Sequence, residues 1–181
     1  MRAVLINVSD AIVEERRRLG LDRQDEMWDG EWHLVNPPKF WHPALNADLL
    51  FVLWPIARAR GLRPLGDSTG IFENIERNWR IPDQCYARHD QIIEEGLVGA
   101  ELVVELRSPG DDSYLKLPFY ADRGITEALI VHEDRRFELY RLDDGDYKPV
   151  EDGVSEVLGV TFSTVEGPQL RITWGGGEAE V

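Results

Sequence analysis

The sequence predicts a mixed α/β domain, an α+β arrangement with a central mixed β-sheet flanked by helices. Three observations carry this. A nearly continuous apolar run from Ala100 to Leu106 is followed by a turn cluster, a helical stretch and a second apolar run, Glu127 to His132. That order is a strand–helix–strand crossover, which sets its two strands parallel. Hairpin signals flank the unit on both sides, and the stretch 41–60 carries apolar residues at helical spacing.

Taken in order, Ser9-Asp10 opens a helix over Ala11 to Leu19 that Gly20 ends. Asp29-Gly30 is the turn of a hairpin in EMWDGEWHLV, expected to place Trp28, Trp32 and Leu34 on one sheet face. Pro37-Pro38 breaks its second strand. In 41–60 the buried stripe is Leu45, Leu49, Val52, Leu53, Ile56 and Ala57, with Pro55 as a kink. Arg58, Arg60 and Arg63 cluster at its end, where the helix dipole suits them. Strands follow at about Gly70 to Glu76 and Trp79 to Ala87. Ala100 to Leu106 reads as a central strand buried on both faces. A turn at 108–112 leads to a helix from about Ser113 to Arg123, ended by Gly124. Pro118, tolerated only in a first turn, moves its start toward Leu115. EALIVH and Arg136 to Leu142 are strands joined at Glu133-Asp134, and VTF and LRITW are shorter ones. The whole of 1–181 reads as a single domain, with 175–181 as a loose tail rich in Gly and Glu.

The length suits one buried core. The longest apolar stretch, Leu49 to Ala57, contains Pro55 and is too short to span a bilayer. Met1 to Ser9 has no targeting pattern, so no membrane role is expected. The single cysteine, Cys85, excludes an intramolecular disulfide and a cysteine-rich zinc site, which points to a reducing cytoplasm. Cys85 itself reads as buried and inert. Trp28, Trp41, Trp54 and Trp79 read as core. The net charge of −14 argues against a constitutive, tight, non-specific nucleic-acid binder. It leaves room for a local acidic metal site.

The chemistry gathers in IPDQCYAR and ELVVELRSPGDDSYLKLPFYADRGI. Pro82-Asp83 sets a carboxylate at the start of a strand, and Glu105 sets a second at the end of a buried one. A buried strand tolerates a charge that is paired, metal-bound or at the rim. Two carboxylates on neighbouring strands, with the carbonyl of Leu106, give hard oxygen ligands suited to Mg²⁺. Lys116, on the following helix, can lean back over the strand end. Metal and lysine together would activate water and stabilise charge on a phosphate. Taken singly, each residue has a plainer role: strand-end carboxylates are commonly solvated, Asp111 and Asp112 suit a turn and an N-cap, and a lone lysine belongs on the surface.

Read jointly, the motifs resemble the PD-(D/E)xK nuclease superfamily and, more closely, the Uma-type family of restriction endonucleases. The likeness runs from about Glu14 to Leu142. It rests on Glu26-Met27-Trp28-Asp29-Gly30-Glu31, on Pro37-Pro38 with His42, and on Pro82-Asp83. It continues through Val103 to Pro109, Asp112, Lys116, Tyr120 and Ala121, then Gly124, Ile125 and Glu127. The resemblance implies a restriction-endonuclease-like fold, Asp83 and Glu105 as metal ligands and Lys116 as the catalytic lysine. The superfamily's usual lysine position, two residues after the glutamate, is Arg107 here; it either contacts phosphate or pairs with an acidic neighbour. Glu26 is either a third site carboxylate or a surface residue. His42 either caps and packs the long helix or joins the site. The expected activity is hydrolysis of DNA, double-stranded first, with Mg²⁺ (Mn²⁺ substituting), by a homodimer. The alternatives are a binding or regulatory module on the same fold that cuts weakly or not at all, and a nuclease for RNA or single strands.

Overall fold

The computed structural model describes residues 3–5, 8–35 and 38–181. In chain order its elements begin with β1 (Ala3–Leu5), α1 (Asp10–Leu19), β2 (Glu26–Trp28), β3 (Glu31–Leu34), α2 (Trp41–Ala59), β4 (Arg63–Gly66), β5 (Ile71–Asn74), β6 (Asn78–Arg80) and β7 (Gln84–Ala87). After a 3₁₀ turn at His89–Gln91 come β8 (Leu102–Arg107), a second 3₁₀ turn at Ser113–Lys116, α3 (Leu117–Asp122), β9 (Glu127–His132), β10 (Phe137–Asp143) and β11 (Asp146–Pro149). The chain closes with β12 (Val154–Ser155), β13 (Val160–Thr164), β14 (Leu170–Trp174) and β15 (Gly177–Glu180).

The strands form three sheets, ordered β1-β3-β2-β6-β5, β11-β10-β9-β8-β7-β4 and β12-β13-β14-β15. The second is central and mixed. Its β8 and β9 run parallel, as the crossover requires, and its other neighbours pair antiparallel. β8 is buried along almost its whole length, so its two faces meet different partners. Leu102, Val104 and Leu106 face Leu45, Leu49, Leu53 and Ala57 of α2, and the same core takes in Phe162 and Ile172 of the third sheet. Leu45, Leu49 and Leu53 recur every four residues and are fully buried, contributing about 2 kcal/mol each. On the opposite face, Val103 packs with Cys85, Ala128, and Phe119 and Tyr120 of α3. Among the described residues no helix is long and apolar enough to cross a membrane.

The structure departs from the sequence expectations at several points. The hairpin turn is where expected: Asp29 and Gly30 both take positive φ (52° and 94°), as a two-residue turn of matching twist requires. Its register, however, sets Trp28 opposite Glu31 and Met27 opposite Trp32. Trp28 therefore shares a face with Glu26 and His33, stacking on His33 at 3.8 Å, while Trp32 turns to the other side against Trp79. The expected strand over 79–87 is two strands in two sheets, divided at Ile81-Pro82-Asp83, where Pro82 offers no N–H to continue a ladder. The helix after the turn begins as 3₁₀ and becomes α only at Leu117, with Pro118 in its first turn. Trp54 is not core but 42% exposed. The tail expected to be loose is paired, Gly177–Glu180 closing a hairpin on β14. Of the Pro37-Pro38 break, Pro37 lies outside the described residues, and Pro38 lies beyond β3.

Candidate functional site

At its centre lies a buried ion cluster. Lys116, the last residue of the 3₁₀ turn, has no solvent exposure. Its Nζ lies 2.9 Å from Glu26 Oε1 and donates to Glu105 Oε1 at 2.8 Å, to Glu105 Oε2 at 3.0 Å and to the Ile81 carbonyl at 3.2 Å. Glu26 Oε1 also accepts from the Ile81 N–H at 2.9 Å, and its Oε2 from the Trp28 indole at 2.7 Å. The Tyr120 hydroxyl donates to Glu105 Oε1 at 2.5 Å. Tyr120 lies four residues after Lys116, so both project from one side of the 3₁₀–α3 junction. Burial first, then the negative field of Glu105 and Glu26, raises the Tyr120 phenol well above its ordinary value and keeps it a donor. Burial likewise raises the Cys85 thiol, with Glu105 adding to it. The cysteine is fully buried and stays protonated.

Asp83 sits in the break before β7, where the register of β7 on β8 brings it beside the Glu105 end of β8. Its Oδ2 accepts the Leu106 N–H at 2.6 Å, and its Oδ1 lies 3.3 Å from His42 Nε2. A strand residue's N–H and C=O face the same neighbour, so the Leu106 carbonyl turns toward Asp83 too. The start of α2 clasps this segment. Asn46 donates to the Asp83 carbonyl at 3.5 Å, and the buried Gln84 amide donates to Asn46 O and Oδ1 at 2.9 and 2.7 Å. For His42, burial works against the charged ring. The Asp83 hydrogen bond and the charges of Asp83, Glu105 and Asp111 outweigh it and raise its pKa.

A cleft of about 280 Å³ opens over these groups, lined by Lys39, His42, Asp83, Glu105, Leu106 and Asp111 among others. Of the residues singled out in the sequence, Asp83, Glu105, Leu106 and His42 thus meet on one cleft. Glu26 and Lys116 lie behind Glu105, closed off from solvent; Glu26 is not a surface residue. Arg107 stands apart from the cleft lining. Its guanidinium lies over the Tyr114 ring at 4.7 Å, with Nε 3.9 Å from Asp111. Asp111, not Asp112, holds the turn, accepting from Ser108 N, Ser113 N and Ser113 Oγ. Arg80 is buried between the rings of Trp28 and Phe119, at 4.2 and 4.4 Å, and does not offer itself to a phosphate. Tyr120 and the Asn46–Gln84 clasp had no assigned role in the sequence. The four-residue spacing from Lys116 was the available signal for Tyr120; nothing local announces the clasp.

The donor set is suited to a hard divalent cation. Asp83, Glu105 and the Leu106 carbonyl present oxygen only, the ligand type that Mg²⁺ takes while keeping several waters. Among the described residues no three His, Cys, Asp or Glu side chains group as a metal cage, so a cation here would draw on two carboxylates, a carbonyl and water.

Comparison with known proteins places this chain in a family. Residues 14–171 match the profile of the Uma2 family, described as "Putative restriction endonuclease", and the chain belongs to that family. Among solved structures, it is similar to the crystal structure of "a putative nuclease belonging to DUF820 from Anabaena variabilis ATCC 29413". The TM-score is 0.58 at 14% identity, covering 78% of this chain and 80% of that one. The fold is thus restriction-endonuclease-like. A DrdV–DNA complex matches at a TM-score of 0.37 and 13% identity, over 60% of this chain and 10% of that one, too low a score to define a common fold. No curated protein matches the chain.

Proposed function

We propose that this chain is a Mg²⁺-dependent nuclease (Mn²⁺ substituting) that hydrolyses phosphodiester bonds of DNA, double-stranded first, as a homodimer. The observation that carries the reading is the meeting of Asp83, Glu105 and Leu106 on one cleft with a buried lysine directly behind the glutamate. Asp83, Glu105 and the Leu106 carbonyl would hold the cation, which when bound supplies Lewis acidity toward a phosphate and a more acidic water. Lys116, in this reading the essential cation, acts through Glu105: it fixes the orientation of that carboxylate and offsets part of the negative charge under the cleft. Tyr120 fixes the same carboxylate from the other side. His42 and the Leu106 N–H orient Asp83, one at each oxygen. Lys39, on the cleft wall, is placed to meet an incoming phosphate.

One observation favours a second reading. Both Glu105 oxygens already accept from Lys116, and one also from Tyr120. A carboxylate so engaged suits a structural ion cluster in a module that binds without cutting. Calorimetric Mn²⁺ titration of the wild type, Asp83→Asn and Glu105→Gln decides, alongside cleavage of duplex DNA, single strands and RNA. Metal binding lost in both variants, with duplex cleavage in the wild type, supports the nuclease. Unchanged affinity in both removes the metal site. Metal binding without cleavage of any nucleic acid favours the binding module.

A further inference from the structure

We infer that the outward face of α2 is the contact surface of the homodimer, packed antiparallel against the same face of a second copy. The inference names the surface for the two-copy assembly proposed above, and it does not depend on whether the cleft cuts nucleic acid.

The inward stripe of α2 is spent on the core. At 3.6 residues per turn, the opposite side carries Ala44, Ala47, Asp48, Phe51, Trp54, Pro55 and Arg58. Phe51 is 84% exposed and Trp54 42%. Two large aromatics one turn apart on an outward face leave apolar area in water that association would bury. Ala44 and Ala47 on one side, and Pro55 on the other, are short enough to let a second helix approach closely. Pro55 also deprives the Phe51 carbonyl of its helical donor, which is tolerable on this side because the carbonyl faces outward.

Charge selects a second copy as the occupant. Asp48 and Arg58 lie at the two ends of the aromatic patch, both exposed, and among the described residues neither makes an ion pair. They are opposite in sign and equally distant from residue 53. A two-fold axis there sets Asp48 of each copy against Arg58 of the other, and Phe51 against Pro55. The face is thus complementary to itself only in the antiparallel sense, as an isologous contact requires. An anionic membrane would instead want a flank of one sign, whereas this face carries the acidic Asp48 as well as the basic Arg58. His42 stands in the first turn of α2 beside Asp83. Antiparallel pairing therefore carries the two clefts to opposite ends of the interface, about 33 Å apart along the helix axis at 1.5 Å per residue.

Light scattering after size exclusion, with sedimentation equilibrium on the full chain, tests this. The wild type should be a dimer. Phe51→Glu should be monomeric with unchanged circular dichroism. Asp48→Arg and Arg58→Asp should each weaken association about tenfold, since either reversal creates two repulsive contacts per dimer. The double variant Asp48→Arg/Arg58→Asp should recover the wild-type constant. That rescue stands even if Phe51→Glu fails to fold. A dimer indifferent to all four variants overturns the interface and leaves the homodimer standing. A wild type monomeric at every concentration overturns both, and one that then floats with neutral lipid vesicles assigns the face to a membrane instead.

Discussion

Lys116 has no solvent exposure and lies between two carboxylates. A buried ammonium persists only when its pairing is complete, and Glu26, Glu105 and the Ile81 carbonyl complete it. Lys116→Met should therefore lower unfolding stability by about 3–5 kcal/mol, because it leaves two carboxylates facing each other without a cation. Urea denaturation measures this; a loss under about 1 kcal/mol, as for an exposed pair, would mean that the cluster is not closed in solution. At this scale the sequence was informative about residue types and not about depth. Asp83 and Glu105 stand out through their place at strand ends, and Lys116 through its place on the element that follows Glu105. That Lys116 sits beneath the cleft depends on Glu26, which arrives from another sheet, and no local pattern reports it.

At the scale of elements, the 3₁₀ turn before α3 is fastened to β10 by one side chain. Glu138 accepts from Tyr114 and Tyr140 at 2.5 Å each and lies 2.7 Å from His132 Nε2. Burial alone would raise its pKa, but the three partners outweigh burial and hold the carboxyl below its ordinary value. A depressed carboxylate contributes stability that is present above its unfolded pKa, near 4.5, and is lost as pH falls through the lower folded value. The stability difference between wild type and Glu138→Gln should thus be constant near neutrality and shrink below about pH 4.5. Since the side chain is partly exposed, the difference should be at most about 1 kcal/mol. Thermal melts across that range check it, and a gap that widens on acidification would contradict it. Periodicity made α2, β8 and β9 legible. It did not divide 79–87 between two sheets, because β6 joins β2 and β5 while β7 joins β8, and periodicity does not report partners. It also missed short strands such as β4, whose Arg-Pro-Leu-Gly composition carries no strand signal. The face of Trp28 followed from a register that only the pairing reveals.

For the molecule as a whole, the net charge of −14 sets the long-range field that an incoming phosphate meets. Two of its arginines are engaged within the fold: Arg60 donates to the Val157 and Glu156 carbonyls at 2.6 and 2.8 Å, and Arg80 is buried. Duplex affinity should accordingly be weak and should fall with added salt. Lys39→Ala should reduce the log–log salt slope by about 1. Fluorescence anisotropy at several ionic strengths reads both, and binding insensitive to salt would contradict the electrostatic picture. The architecture has one more consequence. Glu26 belongs to the first sheet, Glu105 to the central one, and Asp83 to the link between them. Lys116 closes the three segments at a single atom, so the cleft does not exist in either sheet alone. Its alignment therefore depends on both sheets having docked: a copy in which they have not holds the carboxylates but not the contacts that line them up.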